Sequence, residues 1–193
     1  MENIIYIGID PGKDGFVTIL YDSADMFSFI RMPTKKVDGK TEFSEEGLIE
    51  ISKELGEKFS KIDNVKVVAC IEEVTGRHGW SAQNNFSFGY TAGLQKAFLY
   101  NLGDVEVHMV RPAKWQSVIY EGFEKVMVPS STGKTMVHDT KATSAKVAML
   151  KAPHVDFRVS TRARKTHDGK TDSFLICLYI KQYYEKLQSR QNK

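Results

Sequence analysis

Two apolar runs that each end in an acidic residue constrain the fold of this chain more than any other feature. Ile4–Ile9 is rich in β-branched side chains and stops at Asp10, where a Pro-Gly turn begins. Val65–Ile71 is continuous enough for a strand buried on both faces, and Glu72 follows it directly. A helical pattern precedes the second run, so its strand is expected to lie parallel to an earlier one. If these two strands are neighbours, both acids emerge side by side at the same sheet edge.

The segments around these runs predict an alternation of strands and helices. Strands at Phe16–Tyr21 and from Met26 to Met32 would form an antiparallel meander with the first strand. Ser44 is placed to cap a helix that leads into the parallel strand. The remaining predicted elements are a helix from Ser81 to about Leu102, a strand at Val105–Val110, a short helix carrying Trp115, a helix from Lys141 to about Leu150 and a last helix from near Asp168 to about Leu187.

The predicted architecture is an α/β fold with a five-stranded mixed sheet, in which three antiparallel strands precede parallel ones, and helices cover both faces. Residues 128–140 are predicted to be a mobile loop. No linker divides the sequence, so residues 1–193 are expected to form one domain. Gly89 and Gly93 lie one helical turn apart, which suggests close approach by another backbone, whether a sheet, a second subunit or DNA.

Several classes of protein are excluded by short patterns. Cys70 and Cys177 lie in apolar stretches and are expected to be buried thiols, and no CxxC or HExxH pattern indicates a zinc site. Residues 130–135 resemble the end of a P-loop but lack its leading glycine, so nucleotide binding there is rejected. No apolar run is long enough to span a bilayer, and no signal peptide is visible, so a soluble cytoplasmic protein without a membrane partner is expected.

Charge is distributed unevenly along the chain. The net charge is only +3, yet residues 141–193 hold twelve basic and four acidic side chains, against 15 and 20 in the first 140 residues. A basic last third attached to an acidic body indicates a polyanionic partner that approaches one side of the molecule. A solvated basic surface is the alternative.

Four acids are predicted to meet in one site. Asp168 and Asp172 are four residues apart at the start of the last helix, which puts both carboxylates on one helical face, and the sheet would bring Asp10 and Glu72 to them. Clustered carboxylates repel one another unless a hard cation lies between them, and oxygen ligands favour Mg²⁺ or Mn²⁺. Two such ions about 4 Å apart could activate a water and stabilise the leaving oxygen in phosphodiester hydrolysis.

Each acid also has an ordinary structural explanation. Asp10 could be a turn residue, and Glu72 could only mark the exit of its strand. Asp168 and Asp172 could serve as an N-cap and a partner of the helix dipole. Glu73 should point to the opposite face from Glu72 and is predicted not to be a ligand. The prediction of a metal site therefore depends on the four acids together.

Four segments, in order, resemble the RuvC family of Holliday junction resolvases in the ribonuclease H-like superfamily. Residues 7–12 (IGIDPG) look like its first-strand motif, 70–74 (CIEEV) its second acidic motif, 87–93 (SFGYTAG) the segment that follows, and 168–176 (DGKTDSFLI) its C-terminal acidic helix. The resemblance covers roughly residues 4 to 180 and is greatest to the phage branch. Bacterial resolvases usually have their last two acids three apart, which leaves open whether Asp168 or the adjacent His167 is the fourth ligand.

The resemblance implies a ribonuclease H-like fold and a divalent-metal-dependent endonuclease with Asp10, Glu72, Asp168 and Asp172 around two Mg²⁺ or Mn²⁺ ions. It also implies a homodimer whose two sites cut opposed strands of a four-way DNA junction during recombination and repair, in the host cytoplasm if the protein is phage-encoded. The helix that carries Gly89 would lie at or near the dimer interface.

Basic and aromatic side chains near the acids are the predicted DNA contacts. Basic side chains that precede the acidic helix, or lie in the flexible loop, should contact phosphates: Lys134, Lys141, Lys146, Arg158, Arg162, Arg164 and Lys165. Arg77 and Trp80 follow Glu72 closely and could touch an opened strand, with Trp80 stacked on a base. The alternative for Trp80 is interior packing, and a surface position is the default for His78 and His167.

Three other functions compete with junction cleavage. An actin-like ATPase would share the Asp-Pro-Gly turn after the first strand, but the chain is about half the size and has no second phosphate loop. A ribonuclease H-like module could bind branched nucleic acid without cutting it. Another nuclease of this fold could act on flaps or RNA–DNA hybrids.

Overall fold

The computed structural model describes residues 2–76 and 78–191, with a five-stranded sheet at its centre. Ser44 caps the first helix as predicted, since its Oγ accepts a hydrogen bond from the Gly47 amide at 3.1 Å. The elements in chain order are β1 (Asn3–Asp10), β2 (Phe16–Tyr21), β3 (Met26–Arg31), β4 (Thr34–Val37), β5 (Lys40–Phe43), α1 (Glu45–Phe59), β6 (Val65–Glu72), α2 (Ala82–Tyr100), β7 (Val105–Val110), α3 (Pro112–Ile119), β8 (Met127–Pro129), β9 (Met136–His138), α4 (Thr140–Lys151) and α5 (Asp168–Gln191).

The central sheet is mixed, and its strand order is β3-β2-β1-β6-β7. β1 pairs antiparallel with β2, and β2 antiparallel with β3. On its other side β1 pairs parallel with β6, which pairs parallel with β7. This arrangement confirms the predicted sheet. The register joins Ile9 to Ile71, so Asp10 and Glu72 each stand one residue beyond that pair.

Alternate residues of the central strands face two separate layers of helices. In β1, Ile5, Ile7 and Ile9 pack in a core with side chains of α1 and α2, such as Leu55. Tyr6 packs in a second core on the opposite face, with side chains of α3, α4 and α5. Helices therefore cover both faces, as expected. Because side chains alternate along a strand, Asp10 and Glu72 continue the even-numbered series and lie on the face covered by α3, α4 and α5.

Helix α5 lies directly on β1 because glycine leaves room for its backbone. A Cβ atom at Gly8 would collide with the carbonyl oxygen of Ser173 and the amide of Cys177. The Ser173 hydroxyl hydrogen bonds to that of Thr18 at 2.8 Å in the interior, which ties α5 to β2 as well. At Gly169 a Cβ would lie 2.9 Å from the Asp10 Oδ2 atom, so the first turn of α5 also rests against the end of β1.

The predicted mobile loop at 128–140 is wrong, because most of it forms a short hairpin. β8 and β9 pair antiparallel, with Val128 opposite Val137. The Ser130 amide donates to the Thr135 carbonyl at 2.7 Å and closes the turn. Strands of three residues around a polar turn give too short an alternation for a period of two to be recognised.

A second hairpin was not predicted. β4 and β5 pair antiparallel across Asp38 and Gly39, which both have positive φ, at 48° and 76°. An Asp-Gly pair with this geometry is typical of tight hairpin turns. The strands beside this turn have few apolar side chains, so no alternation of apolar and polar residues indicates them.

The predicted helices are present, with small differences in their ends. α5 continues to Gln191 and is longer than predicted. The apolar side chains of α2 are only partly buried, since Phe98 is in the core whereas Phe86 and Tyr90 are exposed. Within the described ranges, no helix combines the length and apolar character needed to cross a bilayer.

We expect Gly8→Ala to lower the free energy of unfolding by roughly 3 kcal/mol or more, because the added methyl group meets backbone atoms that cannot rotate away. Gly56→Ala is the matched control, since a Cβ there meets only the Leu102 carbonyl oxygen, at 3.9 Å. That change should be neutral, or stabilise α1 by roughly 0.5–1 kcal/mol. Urea unfolding of both variants measures the difference, and equal stability of the two would contradict the close packing of α5 on β1.

Candidate metal centre and nucleic-acid interface

The four predicted acids line one open cleft at the carboxyl ends of β1 and β6. Asp10 and Glu72 reach it from the ends of these strands, and Asp168 and Asp172 reach it from the first turns of α5. Lys141 lines the same cleft. The fold thus brings together carboxylates that are up to 162 residues apart in the sequence.

Glu72 is held by a buried tryptophan of the neighbouring helix. The Trp115 indole Nε1 donates a hydrogen bond to Glu72 Oε2 at 2.7 Å, and the tryptophan is 0% exposed. The sequence analysis places Trp115 on a short helix and assigns it no role at the site. The signal that could have indicated this contact is chemical: the N–H of a buried indole needs a hydrogen-bond acceptor.

Asp172 is the most strongly perturbed acid of the cleft. Its Oδ1 atom is buried and has no hydrogen-bond partner within residues 2–76 and 78–191. Burial raises the pKa of Asp172 to about 7, a hydrogen bond from Ser144 opposes the rise, and the charges of Glu72 and Asp168 add to it. The carboxylate form of this side chain is therefore poorly compensated by the protein itself.

Lys141 supplies a positive charge to the acids. Its Nζ atom lies 2.6 Å from Asp168 Oδ2, and both side chains are largely exposed. The hydrogen bond and charge of Asp168 raise the pKa of Lys141, with smaller contributions from Asp172 and Asp10. Lys141 was predicted as a phosphate contact, and its position within the acid cluster could not be inferred from the sequence.

The donor atoms of this cleft fit a hard divalent cation. Four carboxylates supply only oxygen ligands, and one buried oxygen has no hydrogen-bond partner in the described part of the chain. A lysine ammonium already lies where positive charge is needed. As the side chains stand, no three Asp, Glu, His or Cys residues within the described ranges are close enough together to hold one ion. Binding would require the Asp168 side chain to separate from Lys141 and turn toward the other acids.

His167 is half buried, whereas a surface position is the default expectation for this residue. Its ring packs against Phe16 with centroids 5.1 Å apart, and its Nδ1 atom is buried without a hydrogen-bond partner in the described part of the chain. Burial lowers the pKa of His167, which favours the neutral imidazole. His167 lines the cleft beside Asp168.

Glu73 lies outside the cleft, as predicted for a residue that is not a ligand. It accepts a hydrogen bond from Arg111 Nε at 3.1 Å.

Besides Lys141, two more of the predicted DNA contacts line the cleft. Lys165 lies at its rim, next to His167. Trp80 is 42% exposed, so the alternative of interior packing is wrong for this residue. Its ring meets Phe88 edge to face, with centroids 5.7 Å apart. An exposed tryptophan, packed on a partly buried phenylalanine, therefore lines the cleft that holds the acids.

The other basic candidates are spread over neighbouring surfaces. Arg162 and Arg164 are exposed in the segment between α4 and α5, and Lys134 is exposed in the turn between β8 and β9. Lys146 on α4 lies 3.6 Å from Glu124, and Arg158 forms a 2.9 Å ion pair with Asp156. Arg77 lies outside the described residues.

Asp172→Asn should stabilise the folded protein at neutral and alkaline pH in metal-free buffer. The folded-state pKa of about 7 exceeds the unfolded value, which is about 3.9. Stability is therefore lost as pH rises from about 4 to about 7, where the unfolded chain has released its proton and the folded one has not. Removing the carboxylate should raise the free energy of unfolding by roughly 1–3 kcal/mol at about pH 8, and by less at about pH 5.

The control for this prediction is Asp156→Asn. A hydrogen bond from Arg158 lowers the pKa of Asp156 to about 2, so this carboxylate is already compensated. Its loss should not stabilise the protein at either pH. Urea unfolding at both pH values gives the comparison. Destabilisation by Asp172→Asn at alkaline pH would show that the buried carboxylate is compensated after all.

Comparison with known structures identifies the fold. RuvC of T. thermophilus, in complex with a Holliday junction substrate, matches with a TM-score of 0.54 and 12% identity over 94% of this chain and 96% of that chain. The yeast mitochondrial Holliday junction resolvase Ydc2 matches with a TM-score of 0.52 and 13% identity over 99% of this chain and 82% of that chain. No protein-family model matches, and no curated protein gives a significant match. The chain has the ribonuclease H-like α/β fold of these two proteins.

Proposed function

We propose that this protein is a structure-selective endonuclease that cleaves branched DNA, Holliday junctions above all, by divalent-metal-dependent hydrolysis of phosphodiester bonds. The observation that carries the proposal is the gathering of Asp10, Glu72, Asp168 and Asp172 in one cleft. Likeness of fold to RuvC and Ydc2, whose names refer to Holliday junctions, supports the choice of substrate.

Asp10, Glu72, Asp168 and Asp172 are the proposed metal-binding catalytic residues. Mg²⁺ or Mn²⁺ ions, two per site, would supply an activated water and charge stabilisation for the leaving oxygen. The buried Asp172 Oδ1, which has no hydrogen-bond partner among the residues that the structure describes, is the strongest candidate for a metal ligand. Asp168 is proposed as the fourth ligand in preference to the neutral, half-buried His167. Lys141, released from Asp168, would be placed to hold a phosphate oxygen.

DNA would approach the cleft across its basic and aromatic rim. Arg162, Arg164 and Lys165 immediately precede α5, so their charges can reach the backbone of a strand whose phosphate lies at the acids. Trp80, packed on Phe88, would offer a ring for an unpaired base. The remaining phosphate contacts are proposed to come from the hairpin turn, α4 and the segments near them: Arg77, Lys134, Lys146 and Arg158.

A homodimer is proposed through the outer face of α2. Phe86 and Tyr90 are 68% and 49% exposed there, and their rings stack with centroids 6.2 Å apart. Apart from the backbone of α2 itself, a Cβ at Gly89 or Gly93 would meet no atom of the described residues within 4 Å, so the sheet does not explain these glycines. Exposed rings beside small residues favour contact with a second subunit. Two such subunits would present two clefts to opposed strands of a junction.

The wider setting is also part of the proposal. The i, i+4 spacing of Asp168 and Asp172 supports the phage branch of the RuvC family, and therefore action in the host cytoplasm during recombination or repair. The whole chain is proposed to be a single nuclease domain. A gel assay with labelled junction, flap, fork and RNA–DNA hybrid substrates separates junction cleavage from the other nuclease activities, and from binding without cleavage.

Asp10→Asn and Glu72→Gln should each reduce Mg²⁺-dependent junction cleavage at least roughly 100-fold, because each removes charge that acts on the transition state. Junction binding in the absence of metal should remain close to that of the wild type. The matched control is Glu73→Gln, which alters the adjacent acid outside the cleft and should retain cleavage. A wild-type cleavage rate in either of the first two variants would falsify the site assignment.

Arg162→Ala combined with Arg164→Ala should weaken junction binding and reduce the slope of log K against log salt by about 2, or about 1 for each lost phosphate contact. Lys186→Ala combined with Arg190→Ala is the control pair, since residue 186 lies about 27 Å along α5 from residue 168. Gel-shift titrations over a range of salt concentrations measure both slopes. An unchanged slope in the first pair, or an equal loss in both pairs, would remove the loop from the DNA-binding surface.

A further inference from the structure

Trp115 is the buried residue that connects the candidate metal centre to α3. Its indole Nε1 lies 2.7 Å from Glu72 Oε2, within the range of charge-assisted hydrogen bonds. We propose that Trp115 is a positioning residue, which fixes the Glu72 carboxylate in the orientation needed to bind a divalent cation. This inference rests on the proposed metal-dependent function of the same cleft.

The indole is itself held rigidly. Trp115 is 0% exposed and packs in the core formed by α3, α4, α5 and the sheet. Its ring meets that of Tyr120 edge to face, with centroids 5.9 Å apart. The Tyr120 hydroxyl is in turn 2.6 Å from the Ser144 hydroxyl on α4. The donor that reaches Glu72 is therefore fixed by two helices.

The chemistry of the indole suits such a role. It carries one N–H donor and no acceptor, so it can orient a carboxylate without competing for a cation. Glu72 is the last residue of β6, and a glutamate side chain has several rotatable bonds that the strand alone does not fix. Hydrogen bonds from outside the ligand sphere commonly orient metal-binding carboxylates in this way.

A purely structural role makes a different prediction. If Glu72 merely satisfies a buried indole, loss of the N–H should lower stability and leave metal binding unchanged. If Trp115 positions Glu72, loss of the N–H should weaken metal binding beyond any general loss of stability. The two roles are therefore separated by the cation dependence of the protein and not by its melting temperature.

Trp115→Phe is the first test, because phenylalanine retains an aromatic ring and lacks the N–H. We expect the Mg²⁺ concentration for half-maximal junction cleavage, and the Kd for Mn²⁺ measured by electron paramagnetic resonance without DNA, to rise roughly 10-fold or more. Junction binding without metal should not change. Ile119→Val, which trims a buried side chain of the same helix, is the control and should leave both values near those of the wild type.

The outcomes separate this inference from the proposed function. If the wild type binds Mn²⁺ and cleaves junctions, and Trp115→Phe has the same cation dependence, the positioning role is wrong and the function stands. An equal rise in the Ile119→Val control also overturns the positioning role. If the wild type neither binds Mn²⁺ nor cleaves junctions, the proposed function fails and the inference fails with it.

A fluorescence measurement covers the case in which Trp115→Phe does not fold. The chain has two tryptophans, so Trp80→Phe leaves Trp115 as the sole indole emitter. Mn²⁺ should quench this emission saturably, with the midpoint found by paramagnetic resonance, and Glu72→Gln in the same background should abolish the saturable component. Bound Mn²⁺ with unchanged Trp115 emission would show that the indole does not sense the cation, which overturns the proposal.

Discussion

The packing of α5 against β1 without an intervening side chain is the constraint on which the site depends. Gly8 removes the Cβ that would meet the backbone of α5, and Gly169 allows the first turn of the helix to rest beside Asp10. Were the helix held at the usual distance of a side chain, Asp168 and Asp172 would be displaced from the strand ends. Two residues without side chains thus determine where four carboxylates meet.

Residues around the acid cluster compensate some of its carboxylates and leave one of them poorly compensated. Trp115 and Lys141 each donate a hydrogen bond to a different acid, whereas a buried oxygen of Asp172 lacks a partner among residues 2–76 and 78–191. Buried charge that the protein does not compensate costs stability, and proteins retain it where a ligand or a reaction uses it. The surrounding helices hold the acids in place, and the carboxylate of Asp172 remains available to a ligand.

The sequence was sufficient for the sheet and the positions of the acids, because both follow from local patterns. An apolar strand that ends in an acid, as at Asp10 and at Glu72, indicates both the direction of the strand and the sheet edge at which the acid lies. The hydrogen bond of Trp115, the burial of His167 and the pairing of Lys141 with Asp168 are contacts between distant segments, and no periodicity encodes them. The β8–β9 hairpin is local, but its strands are too short to be recognised by pattern.

The register between β1 and β6 also determines which segments of the chain can tolerate insertions or deletions. Ile9 and Ile71 are paired in the register, and side chains alternate between the two faces along each strand. Asp10 and Glu72, the next residue of each strand, therefore share a face. A single-codon insertion or deletion inside either strand would turn one of these acids toward the α1 and α2 layer while the other stayed in place. The β4–β5 turn and the segment between α1 and β6 carry no such restriction, so natural variation in length should accumulate there.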